Sequence, residues 1–322
     1  MNKRLLRWLS VLVALFAGIY FIRYAYLALA GKDLSGLLSG RVVFATAVLT
    51  ACCTLLIPIT ALAWGWLLGA MGEHQRFGRL LPILATTQFG KYLPGNVAQH
   101  IGRLAMVRDA GVRLPVALFS MAYEMLLVLV ACAHIGALTL LWEPPPLLAH
   151  WGIAGYRVPL LALITLGALA ALLLAPRAAT WLAMHRATRR GDDNHAPPRL
   201  HLNVGTVGAC YAVYATNFCL IGAGLWLVSH ALLAGIAPAP NPVFLTGAFA
   251  GSWILGFIAP GAPAGLGIRE AILSAWLSGA MPAEQIVLLV VALRIATTLG
   301  DLLNFALGSA FMLRRRRRQS RA

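Results

Sequence analysis

Long apolar blocks separated by short polar connectors make up the chain. Six of them reach the roughly 20 mostly apolar residues that a helix needs to cross a hydrocarbon core. They run from Trp8 to Ala30, Val42 to Met71, Pro115 to Trp142, Val158 to Ala175, Asn203 to His230 and Ala283 to Leu313. Two further stretches are apolar but interrupted. Leu80 to Gly111 is broken at Leu93-Pro94-Gly95-Asn96 and carries Lys91, His100, Arg103 and Arg108. Val243 to Ala280 is broken at Pro260-Gly261-Ala262-Pro263-Ala264-Gly265-Leu266-Gly267. Proline and glycine at that density stop a helix. The pattern predicts an all-α fold, a polytopic membrane bundle forming a single integral membrane domain over 1–322.

Lysine and arginine in short loops set the orientation of such a bundle. With the N-terminus in the cytoplasm, twenty of the 26 basic residues fall on cytoplasmic segments: the start of the chain, the connector between Met71 and Pro115, a basic loop at 177–202 and a basic tail at 314–322. Outside there remain Lys32, Arg41 and Arg157. The N-terminal block has the basic start of a signal peptide, but it is too long and lacks a small-residue cleavage site, so it reads as a retained helix. Two cytoplasmic termini require an even number of crossings. Six spanning helices satisfy this if each broken stretch is re-entrant, the first dipping in from the cytoplasm and the second from outside; letting broken stretches cross instead gives a count of eight or more. The six-plus-two reading divides into two sets of helix, helix, broken dip and helix, inserted opposite ways up. Inverted repeats of this kind are common in membrane transporters.

Composition strengthens the membrane reading. Of 322 residues, 60% are hydrophobic and 11% charged, yet the net charge is +16. On the predicted topology the whole excess lies on cytoplasmic segments. The outside charges balance, and so do Arg23, Arg269 and Arg294 against Glu124, Glu270 and Asp301 within the membrane. Cys52, Cys53, Cys132, Cys210 and Cys219 lie in apolar runs, and no disulfide framework or zinc spacing appears. The histidines form no ligand pair on one helix, and no P-loop, Gly-x-Ser-x-Gly or dinucleotide fingerprint is present. We therefore expect no metal site, no cofactor and no catalytic residue. Placed directly after a helix, Arg314 to Arg318 reads as a topology determinant and anionic-lipid anchor rather than a nucleic-acid site.

Non-helical backbone at membrane depth is tolerated only where protein or a water-filled cavity satisfies it, so both breaks predict a cavity. After the turn at Pro94-Gly95, Asn96 is placed to cap a new helix whose free amides favour an anion. Arg103, seven residues on, shares its face. Lys91, Asn96, Arg103 and Arg269 are thus candidates to hold a lipid headgroup, although the first three also suit a surface amphipathic helix touching lipid phosphates. The second break ends in Gly265-Leu266-Gly267-Ile268-Arg269-Glu270, where Glu270 suits the helix dipole and Arg269 is the charge left unexplained. Arg294, Asp301 and Asn304 share the last helix, and Glu124 is a lone carboxylate in the third. Glu124, Glu270, Arg294 and Asp301 form a supporting charge network, structural or functional, in which Arg269, Glu270 and Glu124 are the candidate partners of Arg294 and Asp301. Tyr211, Tyr214 and Asn217 form a polar stripe on the fifth helix that suits either a cavity wall or helix packing.

At Lys91-Tyr92-Leu93-Pro94-Gly95-Asn96 with Gly102-Arg103, and again at Gly265-Leu266-Gly267-Ile268-Arg269-Glu270-Ala271, the chain resembles the flippase-like transmembrane region of bacterial lysylphosphatidylglycerol synthases, a region also found in stand-alone membrane proteins. The likeness extends over essentially the whole chain. It implies a bacterial cytoplasmic-membrane protein that moves an anionic, aminoacylated or glycosylated lipid, with a phospholipid or glycolipid as its partner. Lipid-synthesising or glycosyltransferase enzymes at the cytoplasmic face are further expected partners. Because the chain ends at Ala322, just after its last helix, we expect no aminoacyltransferase domain and no lysyl transfer. The alternatives are a membrane-embedded transferase, for which Asp33, Glu143 and Glu284 are the only outside carboxylates, and an accessory subunit of an envelope glycolipid or polymer pathway.

Overall fold

The computed structural model describes residues 39–92, 98–142, 153–190, 202–258 and 265–319, with isolated helical positions at 19, 23 and 26. Within them lie nine α-helices: α1 (Gly40–Ala70), α2 (Phe77–Thr87), α3 (Ala98–Asp109), α4 (Leu114–Trp142), α5 (Arg157–Arg190), α6 (Val204–Leu232), α7 (Pro242–Ile258), α8 (Ile268–Leu277) and α9 (Ala283–Gln319). Apart from those isolated positions, the first expected helix lies outside the described residues, as do Pro94, Gly95 and Asn96 of the first break and Pro260 and Gly261 of the second. Helices α1, α4, α5, α6 and α9 are long and apolar enough to cross a membrane. The chain is an all-α polytopic membrane protein.

Capping and composition explain where these helices start and how they pack. Ser39 caps α1 by accepting the amide of Val42, and Asn203 caps α6 by accepting that of Thr206 at 2.6 Å. With 31 residues, α1 is about 46 Å long at 1.5 Å per residue, which exceeds the hydrocarbon thickness. One face of α1, including Leu49, Cys53, Ile57, Ala61 and Trp64, is buried, while Phe44, Leu55 and Trp66 are exposed on the other. Both faces are apolar because one meets protein and the other suits lipid. Peripheral α5 is mostly exposed along its apolar part and continues through Pro176, so residues 177–190 of the basic segment are helical.

Helices α2 and α3 form a hairpin whose two ends meet. Gln75 and Arg79, before and within α2, both donate to the Ala110 carbonyl after α3, at 3.4 and 3.3 Å. Arg113 pairs with Glu73 at 2.6 Å. Way in and way out therefore lie together, as expected for a re-entrant dip. In the second broken segment α7 packs antiparallel to α8 and returns to α9 through the short turn at 278–282.

The two halves repeat. Helices α1 and α6 pack antiparallel, with Cys210 on the Ala63 carbonyl, Asn217 on Thr60 and Gly224 on Leu49. Exchanging α1–α4 for α6–α9 maps the contacts among these eight helices onto one another: α1 with α2 onto α6 with α7, α2 with α3 onto α7 with α8, and α3 with α4 onto α8 with α9. The contacts between halves follow, α1 with α9 onto α6 with α4, and α2 with α9 onto α7 with α4. Glycines make the close contacts between halves, Gly247 of α7 against Thr139 of α4 and Gly308 of α9 against Ala85 of α2. Each hairpin is thus seated against the long helix of the opposite half, through small residues that let membrane helices approach closely.

Candidate functional site

In the first hairpin, the turn of 3-10 helix at Gln88–Tyr92 lies against the start of α3. Gly90 makes this fit, since a Cβ there would stand 2.6 Å from the Gln99 nitrogen. From α3, Arg103 reaches Glu124 of α4 through a bidentate pair, with Nη1 donating to Oε1 at 3.0 Å and Nη2 to Oε2. Its guanidinium carbon sits 3.7 Å from the centre of the Trp64 ring, and Trp64 is fixed by donating from Nε1 to Ser120 at 3.1 Å. Arg103 is 6% exposed and Glu124 8%. A charge-assisted fork and a cation–π contact together compensate a buried guanidinium.

Lys91 and Tyr92 cross to the other half. Lys91 Nζ stands 2.7 Å from Oδ2 of Asp301 on α9, and the Tyr92 hydroxyl donates to the same oxygen at 2.6 Å. Near Asp301, Asn304 donates to the carbonyls of Thr54 and Gly300, which ties this stretch of α9 to α1.

At the second break, Gly265 and Gly267 have φ of +69° and +81°, conformations that a side chain strains. This backbone brings Arg269 and Glu270 into the first turn of α8. Glu270 pairs with Arg294 of α9, whose Nη2 also donates to the Gly265 carbonyl at 3.4 Å. Arg269 is different. Its stem lies over Gly256 and Gly265, where a Cβ would displace it, and its guanidinium is 5.5 Å from the Trp253 ring. Its Nε is buried with no hydrogen-bond partner, and none of the ion pairs among the described residues includes Arg269.

These groups surround a cavity of about 280 Å³ lined by Lys91, Arg103, Glu124, Arg269 and Asp301. A second cavity of about 170 Å³ shares Lys91 and Arg269 with it and adds Glu270 and Arg294. Four cations thus face three carboxylates in the interior. The expected internal balance is corrected here: Lys91 and Arg103, assigned to the cytoplasmic connector, line the larger cavity, whereas Arg23 is exposed, so among the described residues the groups around the cavities carry one positive charge in excess. Three carboxylates have their own cations, and Arg269 holds the excess.

Seven of the sequence candidates, Lys91, Arg103, Arg269, Glu124, Glu270, Arg294 and Asp301, come together around these cavities, along with the glycines at 265 and 267 that shape the second break. Asp301 is held by Lys91 and Tyr92, a pairing outside the partners expected for it, while Arg294 does meet Glu270. Tyr214 and Asn217 line the larger cavity, but Tyr211 turns instead to His134 at 3.1 Å. Tyr92, Trp64 and Trp253 were missed. Adjacency to Lys91 was a signal for Tyr92, whereas nothing local marked either tryptophan as the platform of an arginine 16 or more residues away. Among the described residues no cluster of histidine, cysteine, aspartate and glutamate could hold a metal. Asp33 and Glu143, two of the carboxylates a transferase would use, lie outside the described residues.

The sequence profile of the family described as the lysylphosphatidylglycerol synthase TM region matches residues 3–303. The chain belongs to that family. No curated protein sequence matches the chain. Membership makes this a multi-pass membrane protein of lipid biosynthesis or transport.

Proposed function

We propose that the protein moves an anionic lipid headgroup across the bacterial cytoplasmic membrane, with both termini on the cytoplasmic side. The observation that carries this reading is Arg269, whose Nε is buried without a hydrogen-bond partner and which joins no ion pair among the described residues, at the wall shared by two cavities. An isolated charge in a low-dielectric interior is costly unless a counter-charge joins it. A lipid phosphate supplies that charge and accepts charge-assisted hydrogen bonds from the guanidinium.

The repeat supplies a means of changing access. Arg103–Glu124 lies within the first half and Glu270–Arg294 within the second, whereas Lys91–Asp301 joins the halves. Rocking of one half against the other, the usual motion of inverted-repeat transporters, leaves the first two pairs intact and strains the third. Arg269 then faces one cavity or the other. Orientation rests on the basic residues at one end of the bundle, among them Arg76, Arg79, Arg108 and Arg113, which suit the cytoplasmic side.

Reconstituted protein is expected to move fluorescent phosphatidylglycerol between leaflets faster than empty vesicles do. Rates equal to those of empty vesicles across several anionic lipids would remove the transport reading. Unchanged rates in both Arg269→Ala and Arg103→Ala would remove the site assignment and leave transport standing.

A further inference from the structure

The larger cavity has a wall that the charge network does not use. On α6, the Tyr214 hydroxyl and the Asn217 side-chain oxygen are buried without hydrogen-bond partners, although Asn217 donates through its nitrogen to Thr60 at 3.3 Å. Tyr214 is only 2% exposed. Both residues line the cavity that also contains Arg269. Buried polar atoms nearly always have partners, so a vacant donor and a vacant acceptor on one cavity wall point to a missing group. Beside them stands an aromatic wall. Phe218 meets Trp253 edge-on at 5.7 Å, and Trp253 stacks parallel on Phe257 at 5.3 Å.

Charge narrows the class of ligand. Each interior carboxylate already faces its own cation, and the excess of one positive charge calls for a single negative one. A headgroup bearing an extra ammonium would find no unpaired carboxylate in the larger cavity; the carboxylate oxygen that lacks a hydrogen-bond partner, Glu270 Oε2, lies at the smaller cavity on a group already paired with Arg294. Such a headgroup would also place a second cation beside Arg269, an arrangement that like-charge repulsion disfavours in a low-dielectric site. A hydroxyl, by contrast, both donates and accepts, as the vacant Asn217 oxygen and Tyr214 hydroxyl require, and the apolar faces of a sugar-like ring match an aromatic wall.

Resting on the transport reading above, we propose that the cavity selects a phosphodiester joined to an uncharged, hydroxyl-bearing ring and discriminates against an aminoacylated headgroup. Arg269 takes the phosphate, Tyr214 and Asn217 take ring hydroxyls, and Trp253 with Phe257 borders the ring.

The test is binding, measured separately from movement. Purified protein in detergent is offered an equimolar mixture of phosphatidylinositol, phosphatidylglycerol and lysylphosphatidylglycerol, and bound lipid is resolved by native mass spectrometry. Phosphatidylinositol should be preferred about tenfold over lysylphosphatidylglycerol, the scale of one buried charged hydrogen bond. Tyr214→Phe and Asn217→Leu should each reduce its advantage over phosphatidylglycerol by roughly fivefold. Arg269→Gln should lower binding of both anionic lipids alike. Lysylphosphatidylglycerol bound as well as phosphatidylinositol, or a preference unmoved in both α6 variants, would overturn the inference even if leaflet exchange is seen. The expected preference without leaflet exchange would uphold it and overturn transport. Glycerophosphoinositol, the same headgroup without acyl chains, serves as competitor; displacement at equal concentration would assign the site to a soluble sugar phosphate and overturn the lipid part.

Discussion

Lys91 Nζ lies 2.7 Å from Asp301 Oδ2, and this pair joins the first hairpin to the long helix of the opposite half. The other two interior pairs, Arg103–Glu124 and Glu270–Arg294, each lie inside one half. Geometry therefore separates a contact able to report relative movement of the halves from contacts that hold each half together. Asp301→Asn should lower the unfolding temperature in detergent by the equivalent of about 3–5 kcal/mol, because Lys91 loses its counter-charge in the interior. Exchanging the charges, with Lys91→Asp and Asp301→Lys together, should recover part of the loss. Equal destabilisation in the exchanged protein and the single variant would show that the pair is not a direct partnership.

Arg103 and Arg269 should respond in opposite ways to truncation. Arg103→Ala leaves Glu124 buried without its fork and removes the guanidinium from the Trp64 face, which should cost about 3–5 kcal/mol. Arg269→Ala removes a charge with no partner and should leave the unfolding temperature unchanged or raise it, while leaflet exchange is lost. Stability traded for function in this way is the usual mark of a binding group. Thermal unfolding of the two variants side by side decides it; a loss for Arg269→Ala as large as that for Arg103→Ala would place Arg269 among the structural charges.

Close approach between the halves depends on glycines at specific depths. A Cβ at Gly247 would overlap Thr139, whereas Gly136 on α4 has open space around it. Gly247→Ala should destabilise the detergent-solubilised protein by about 1–3 kcal/mol through overpacking. Gly136→Ala should be tolerated, since a small residue gained there meets nothing. Comparable thermal shifts in the two variants would contradict the packing described between α4 and α7.

Much of this architecture was legible in the sequence because lipid imposes simple rules. Length and hydropathy marked the five described spanning helices to within a few residues at most ends, and the proline and glycine clusters marked both hairpins. Helix α5 ran past its expected end at Ala175, since the helix continues through Pro176 into a segment that carries Arg177, Arg186, Arg189 and Arg190. Partnerships across the bundle were harder to see. Tyr92 and Asp301 are 209 residues apart in sequence, and only the crossing of a hairpin into the opposite half brings them together. For the same reason Lys91 and Arg103 were legible both as headgroup candidates and as charges of a polar connector, and the hairpin is what brings them to the cavity wall. Arg269 stands out in the sequence because its neighbours are so apolar, and the structure sharpens that signal by pairing Glu124, Glu270 and Asp301 with other cations.

Orientation can be checked without any transport. In a protein whose native cysteines are replaced by serine, Ser39→Cys lies just before α1 and Arg76→Cys in the connector that follows it, before α2. An impermeant maleimide added to intact cells should label the first and spare the second until the cells are opened. The reverse pattern would invert the proposed topology.

The central claim is that the uncompensated charge of Arg269 carries an anionic headgroup through the bundle. Dithionite quenching of fluorescent phosphatidylglycerol in proteoliposomes, comparing wild type with Arg269→Gln at matched protein density, tests it most directly. We expect wild type to expose inner-leaflet lipid well above empty vesicles and Arg269→Gln to fall to their level with an unchanged unfolding temperature. Equal exchange by the two proteins would contradict the account.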